Sequence, residues 1–398
     1  MKYYVEAYGC TMNQGETTML AEKMAGEGHI EVSDPAHADT AVIGTCVVIK
    51  KTEERMKRRI AELKKYCDVV LVTGCLASTG KSKLERCSDL KLVEPGEIDM
   101  SFTPKPSLVG IVPISTGCTG SCTYCITKLA RGALKSRSVS SIEQRFENLL
   151  KTGVKEVRVT SQDNASYGLD IGTDLIKLMK KLEMHGGEHR IRLGMMNPNT
   201  ALSIEDELLE VMSDSHYYRF FHLPLQSGSN RILRSMNRGY TVQDWEDLII
   251  NIRKRLPDVT ISTDVIVGFP GESEEDFKRT ASVLKKIKPD ITNITRFSSR
   301  PGTAADSMDK RIHSRDKKKR SKTLTGIHER NNKDNNRKFV GTKTRMLVLK
   351  EGKNDTLTGR MDNYKVVVID KIRDDLLGKW VEVEIVDERS VYLKGEPI

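Results

Sequence analysis

The chain has 398 residues, 30% of them charged, and a mean hydropathy of −0.44; no apolar run is long enough to span a bilayer. That length allows two or three domains with cores of their own and excludes a small disulfide-stapled scaffold. With no charged-then-apolar leader at Met1, a soluble, cytoplasmic protein is expected. Eight cysteines in such a chain point to metal or redox chemistry. The net charge of +10 is concentrated: residues 310–345 hold 14 Lys/Arg against 3 Asp/Glu, a local net of +11. A polyanionic partner is expected there, the plainer alternative being a solvated helix face.

The first block, residues 1–104, alternates strands and helices. Lys2–Tyr8 reads as a strand ending at Gly9-Cys10, followed by a helical pattern through Met19, Leu20 and Met24 that stops near Gly26/Gly28. Thr40–Thr45 is an apolar strand ending at Cys46. A charged helix with Met56, Ile60 and Leu63 on one face comes next, then the strand Val69–Thr73 ending at Gly74-Cys75, and a short helix around Lys81–Arg86. The alternation implies a parallel sheet, in which groups just past the strand C-terminal ends share one edge. Cys10, Cys46 and Cys75 all occupy that position, so three thiolates are expected to converge on a metal–sulfur cluster. Cys67 and Cys87 lack that placement and read as small hydrophobes.

The second block, residues 105–310, carries strand-like runs at Ile111–Ser115, Val157–Thr160, Ile191–Gly194, Arg219–His222, Thr260–Val267 and Ile291–Arg296. Helical patterns separate most of them: Ser141–Lys151, Thr173–Leu182, Ile204–Met212, Val242–Arg255 and Glu274–Ile287. Six strand–helix repeats fit a (β/α)6 partial barrel, whose strand C-terminal mouth carries the chemistry. After its first strand lies Gly117-Cys118-Thr119-Gly120-Ser121-Cys122-Thr123-Tyr124-Cys125. A C-x3-C-x2-C triplet is too tight to form disulfides within itself, but it can wrap one corner of an iron–sulfur cube and leave one iron open. A structural zinc knuckle is the alternative. Ser161-Gln162-Asp163-Asn164, Asn197-Pro198, Leu223–Gly228, Gly268–Glu272 and Ser298–Gly302 fall at the same mouth after the later strands.

A basic connector, residues 311–338, polar and helical in part, leads to residues 339–398. There Arg345–Leu349, Leu357–Gly359, Tyr364–Val368, Trp380–Val386 and Val391–Leu393 are short β-rich runs with Gly/Asp/Asn turns between them. Such spacing suggests a small OB-like all-β barrel, a fold that commonly binds nucleic acid.

The cysteine loop with Tyr124 resembles the radical S-adenosylmethionine (SAM) signature, and the whole chain resembles the radical-SAM methylthiotransferases: a three-cysteine N-terminal domain, a radical-SAM barrel and a C-terminal TRAM domain. Tyr8–Asn13, Gly44–Cys46, Gly74–Ala77, His222–Gly228, Asp264–Glu272 and Arg300–Thr303 carry the resemblance. Thr160–Asp163, Tyr167-Gly168, Asp170–Thr173, Arg192–Met195 and Ile126–Gly132 are similar to the archaeal and eukaryotic branch acting on N6-threonylcarbamoyladenosine beside the tRNA anticodon. Two positions depart from the family: Thr45 stands where Asn is usual, and Ser78 where Gln is common.

The resemblance implies two [4Fe-4S] clusters, one on Cys118, Cys122 and Cys125 and an auxiliary one on Cys10, Cys46 and Cys75. It implies SAM as both radical source and methyl donor. Tyr124, Arg131, Ser161, Gln162, Asp163, Arg192, Gly268 and Pro270 become candidate SAM contacts. The expected partners are a tRNA anticodon stem-loop and a reductant protein, with no membrane. The rival readings are a methylthiotransferase for isopentenyladenosine in tRNA or for an aspartate of a ribosomal protein, and, in another class, a non-catalytic iron–sulfur RNA-binding protein.

Overall fold

The computed structural model describes residues 1–79, 90–213, 215–371 and 374–398. The expected helix around Lys81–Arg86 and Cys87 lie outside the described residues. Two compact units form: residues 1–185 with 298–307, and residues 186–297 with 308–398.

The first unit opens with a parallel five-stranded sheet. Its order across the sheet is Ile30–Glu31, Lys2–Ala7, Thr40–Thr45, Val69–Gly74 and Leu90–Leu92. The central strand is buried along its whole length, as a continuous apolar run in a covered parallel sheet should be. From Lys2–Ala7 the chain steps outward to Ile30–Glu31, then crosses to the other side for Thr40–Thr45. That reversal makes a topological switch point, the crevice where open α/β sheets place their ligands. The register pairs Ala7 with Gly44 and Thr45 with Gly74, so three strands end level.

Helix Thr11–Gly26 packs on the sheet through Leu20, Ala21 and Met24, and helix Lys50–Leu63 through Met56, Ile60 and Leu63. Beyond the sheet the same unit holds the parallel strands Val109–Pro113 and Glu156–Thr160, with helix Val139–Lys151 between them.

The second unit holds the remaining strands of the central region. Phe220–His222, Thr260–Val267 and Ile291–Arg296 are parallel neighbours, and Arg190–Leu193 leads into parallel bridges from Ile191 to Tyr217 and from Met195 to His222. The central region thus alternates six strands with helices, as a (β/α)6 partial barrel requires. The expected strands Thr260–Val267 and Ile291–Arg296 and helices Val242–Arg255 and Glu274–Ile287 keep their bounds; other ends move by a few residues. Short segments went unread, among them helices Ile126–Arg131, Pro198–Leu202 and Asn230–Ser235.

The connector is one continuous helix, Ser314–Arg337. After it come five strands, Lys343–Glu351, Thr356–Arg360, Val366–Asp370, Trp380–Glu388 and Leu393–Pro397. They close into a barrel around Met346, Val348, Leu357, Val367, Ile369, Val383, Ile385 and Leu393.

Candidate cluster and cofactor site

At the level edge of the N-terminal sheet, Gly9 (φ +97°) and Gly74 (φ +84°) let two strands turn sharply into helices. Cys10 caps helix Thr11–Gly26, Cys75 opens helix Cys75–Thr79, and Cys46 follows the central strand. A side chain at Gly9 would sit 2.9 Å from the Cys46 Cβ and 2.5 Å from the Asn13 Nδ2, so only glycine admits this approach. The three cysteines stand along one edge, at the ends of adjacent strands. Burial pushes the Cys75 thiol up to about 11 and lifts Cys46 above its ordinary value, with Cys10 adding to both. The three cysteines, none of them in a disulfide, are a donor set that suits a cationic centre. Thr45, one of the two departures, is well used: its hydroxyl donates to the Thr73 carbonyl (2.5 Å) and accepts from the Leu76 amide (3.3 Å). It therefore fixes the turn that presents Cys75. Ser78, the other departure, donates to Glu94 (3.2 Å).

The second cysteine set stands on the loop after Val109–Pro113. Gly117 (φ +77°) is obligatory, because a Cβ there would lie 1.8 Å from the Ala133 carbonyl oxygen. Gly120 lies against two of the thiols: a Cβ there would stand in van der Waals contact with the Cys118 sulfur (3.4 Å) and the Cys122 sulfur (4.0 Å). The Gly120 amide donates to the Cys118 sulfur at 3.2 Å, a bond that favours the thiolate. Cys125 caps helix Ile126–Arg131, and the Ala305 amide donates to the Thr123 carbonyl (2.8 Å) to hold the loop. The arrangement fits a three-thiolate cluster.

The candidate SAM contacts separate by position. Among the described residues, Ser161 Oγ and Gln162 Oε1 are buried without a hydrogen-bond partner, the condition of groups built to meet a polar ligand. Asp163 is buried near Cys118, where its charge, after burial itself, helps to hold that thiol above its ordinary value. Tyr124 is half-buried within the cysteine loop.

Arg131 lies elsewhere. Its guanidinium is buried in an ion pair with Glu16 (Nη2–Oε2 2.8 Å) and donates to Asn13 Oδ1 at 2.6 Å, and that oxygen lies 4.0 Å from the Cys75 sulfur. Burial opposes the guanidinium's charge but Glu16 outweighs it, so its pKa stands above the ordinary value. The structure thus puts Arg131 at the three-cysteine edge, paired with a protein carboxylate.

In the second unit, Arg192 stacks over the Phe220 ring (4.9 Å) and the Tyr364 ring (5.8 Å). Gly268 (φ +75°) donates its amide to Glu272 (2.7 Å), and a Cβ there would meet the Lys317 stem at 2.4 Å. Pro270 is buried in the same turn.

Sequence reasoning gave no role to a trio on three neighbouring strands of the second unit. Asp264 bonds the His222 Nε2 at 2.9 Å and accepts from the Asn293 Nδ2 at 2.8 Å. Burial would raise the Asp264 carboxyl, but His222 and Asn293 outweigh it and hold it below its ordinary value. A histidine ending one strand and an aspartate within the next were the available signal. Asn13 and Glu16 were also passed over; their spacing of three and six residues from Cys10 puts both on the first turns of its helix.

Comparison with known proteins agrees with the architecture. Residues 112–284 match the radical SAM superfamily, residues 2–93 the uncharacterized protein family UPF0004, and residues 337–398 the TRAM domain. Over 100% of its length the chain is 38% identical to a probable threonylcarbamoyladenosine tRNA methylthiotransferase of Archaeoglobus fulgidus (98% of that protein). It is likewise 38% identical to one of Methanocaldococcus jannaschii (97%), and 30% identical to the threonylcarbamoyladenosine tRNA methylthiotransferase of Xenopus laevis (77%). Among solved structures, the radical SAM methyltransferase TsrM from Kitasatospora setae, with cobalamin and a [4Fe-4S] cluster, shares the fold. Its TM-score is 0.56 at 12% identity, over 77% of this chain and 76% of that one.

Proposed function

The chain belongs to the threonylcarbamoyladenosine tRNA methylthiotransferases, and from that membership we propose that it adds a methylthio group to C2 of N6-threonylcarbamoyladenosine, beside the anticodon of a tRNA. The observation that carries the reading is two sets of three free cysteines in one compact unit, the first at the level ends of adjacent sheet strands and the second on the loop after Val109–Pro113. Cys118, Cys122 and Cys125 would hold one [4Fe-4S] cluster, and Cys10, Cys46 and Cys75 the other. Bound there, clusters and SAM would supply a carbon radical able to take the unreactive C2 hydrogen, and the methylthio unit that replaces it.

The chain's own residues bind and orient. Ser161 and Gln162 offer buried polar atoms to the amino group or ribose of SAM, with Asp163 and the Tyr124 backbone beside them. Gly268 and Pro270 shape the turn after a barrel strand. Arg192, stacked on two rings, is fixed in place as a cation for the substrate side. Arg131 and Asn13 position the auxiliary thiolates. The +11 segment and the small barrel favour RNA over a ribosomal protein as substrate. A protein reductant and a cytoplasmic setting belong to the same reading.

The decisive measurement is mass spectrometry of tRNA nucleosides from a deletion strain. Loss of the methylthio form of threonylcarbamoyladenosine is expected; its persistence beside a missing mark on isopentenyladenosine, or on a ribosomal aspartate, would move the substrate there. Reconstituted Cys122→Ala should release no deoxyadenosine from SAM, whereas Cys46→Ala should release some without forming product. A wild-type protein with both clusters that releases none would make this a non-catalytic RNA binder.

A further inference from the structure

Away from the cysteine loops, the second unit contains a cavity of about 480 Å³ whose lining holds seven Lys/Arg against three Asp. One wall is the N-terminal edge of three parallel strands: Arg219 precedes Phe220–His222, Asp258 and Val259 precede Thr260–Val267, and Asp290 precedes Ile291–Arg296. The other wall is the end of helix Ser314–Arg337 and the start of the small barrel, from Lys338 to Lys343 and from Met361 to Lys365. Strand Thr260–Val267 has eight residues. At about 3.3 Å per residue, the cavity lies roughly 25 Å from the strand ends that carry the chemistry.

Two of the three carboxylates are already taken. Asp290 bonds Lys365 (2.8 Å) and Asn335 (3.2 Å), and Asp362 pairs with Arg190 (2.6 Å) and Arg345 (3.2 Å). Among the described residues, Arg219, Lys338 and Lys343 pair with no carboxylate. Arg219 is anchored through its backbone, its amide donating to the Asp362 carbonyl at 3.0 Å. Yet its Nε is buried without a partner. A planar guanidinium with a desolvated, unused donor, beside two free ammonium groups, matches a phosphate better than any neutral ligand.

We propose that this cavity seats a phosphodiester of the tRNA at a point remote from the modified base. The inference rests on the tRNA reading above and adds a second contact, which would tie the body of the RNA to the junction of helix Ser314–Arg337 and the small barrel. The test is binding of a full-length tRNA transcript to the whole chain across a salt series. Arg219→Gln/Lys343→Gln should weaken binding at fixed salt by about tenfold or more. It should also flatten the slope of log K against log salt by about 2. Lys343→Gln alone, on an exposed side chain, should flatten it by about 1 and serves if the double variant fails to fold. A wild-type slope and affinity in a variant of unchanged thermal unfolding would overturn the cavity proposal. If the wild-type chain binds no tRNA in a salt-dependent way, the tRNA reading itself fails. Inorganic phosphate at millimolar concentration should compete for the cavity only weakly; displacement of tRNA from wild type at concentrations that leave the double variant unaffected would instead make it a site for free phosphate.

Discussion

At the scale of single residues, the Arg131–Glu16 pair is the sharpest product of the fold. The partners are 115 residues apart, and their side chains are 1% and 0% exposed. The sequence marks Arg131 only as a candidate contact for an anion such as the SAM carboxylate. It had no means of showing that the anion was Glu16, because Glu16 follows Cys10 on a helix of weak amphipathic character whose neighbours are set by tertiary packing. Removing one member of a buried pair strands the other's charge. Arg131→Gln should therefore cost about 3–5 kcal/mol of stability in urea titrations, and Glu16→Gln on top of it should recover part of the loss. A loss below about 1 kcal/mol would mean that water reaches Glu16. Gly120→Val tests the other cysteine set. Its two γ-methyls would extend beyond a Cβ already in contact with the Cys118 and Cys122 sulfurs, so reconstituted iron should fall. Iron content equal to wild type would show that the loop moves aside at little cost.

At the scale of elements, the strands were legible because β-branched residues cluster and glycines punctuate them. Helix Ser314–Arg337 was legible only as a basic connector. It lacks an apolar stripe: its buried positions are Arg320, Leu324, Ile327 and four asparagines. Asparagine is a poor helix former, yet here the amides do the docking. Asn331 donates to the Leu284 carbonyl (2.7 Å) and Asn335 to that of Lys288 (3.0 Å), at the C-terminal end of helix Glu274–Ile287, whose last carbonyls have no partner within the helix. No periodicity rule detects that arrangement.

The opposite end of the same helix was plainly written, as Ser273-Glu274-Glu275-Asp276. Ser273 and Asp276 form a reciprocal capping box, and Asp276 also accepts from Ser229 (2.6 Å) and pairs with Arg231. Burial would raise the Asp276 carboxyl, but Arg231, Ser229 and Ser273 outweigh it and hold it well below the usual carboxylate range. The unfolded chain therefore takes up this proton at a higher pH than the folded one. The stabilisation is complete above the unfolded value of about 3.9 and is lost as pH falls through the lower folded value. Asp276→Asn should cost about 0.5–2 kcal/mol at pH 7, and the gap from wild type should narrow below about pH 4. A gap independent of pH would remove the carboxylate from the account.

At the scale of the molecule, composition and motif spacing place a boundary at residue 104, between a three-cysteine domain and a barrel. The packing of the first unit runs straight through it. Ile126 and Ala130, from the helix after Cys125, sit in the core built by Ile43, Met56, Ile60, Val70 and Val72. A Cβ on Gly15 would meet Ile111 at 2.6 Å, so helix Thr11–Gly26 lies hard against strand Val109–Pro113. Glu16 takes Arg131, Glu22 takes Arg145 (2.7 Å), and Glu53 takes Arg300. In each pair the carboxylate comes from before residue 104 and its arginine from after it. The helix Ile126–Arg131, which begins at Cys125 and ends at the Glu16 pair beside the other cysteine set, thereby ties the two cysteine sets into one core, as a flexible linker would not.

Residues 1–104 expressed alone would leave Glu16 and Glu22 buried without their partners. At about 3–5 kcal/mol for each, the loss equals much of the roughly 5–15 kcal/mol that holds a domain together. That fragment should show strand and helix signal in far-UV circular dichroism, little near-UV signal and no cooperative urea transition. Glu16→Gln/Glu22→Gln, which replaces both stranded charges by neutral amides, should restore part of the cooperativity. If the unmodified fragment unfolds as sharply as the full chain, the boundary at residue 104 is a true domain edge, and the cross-boundary pairs contribute orientation rather than stability.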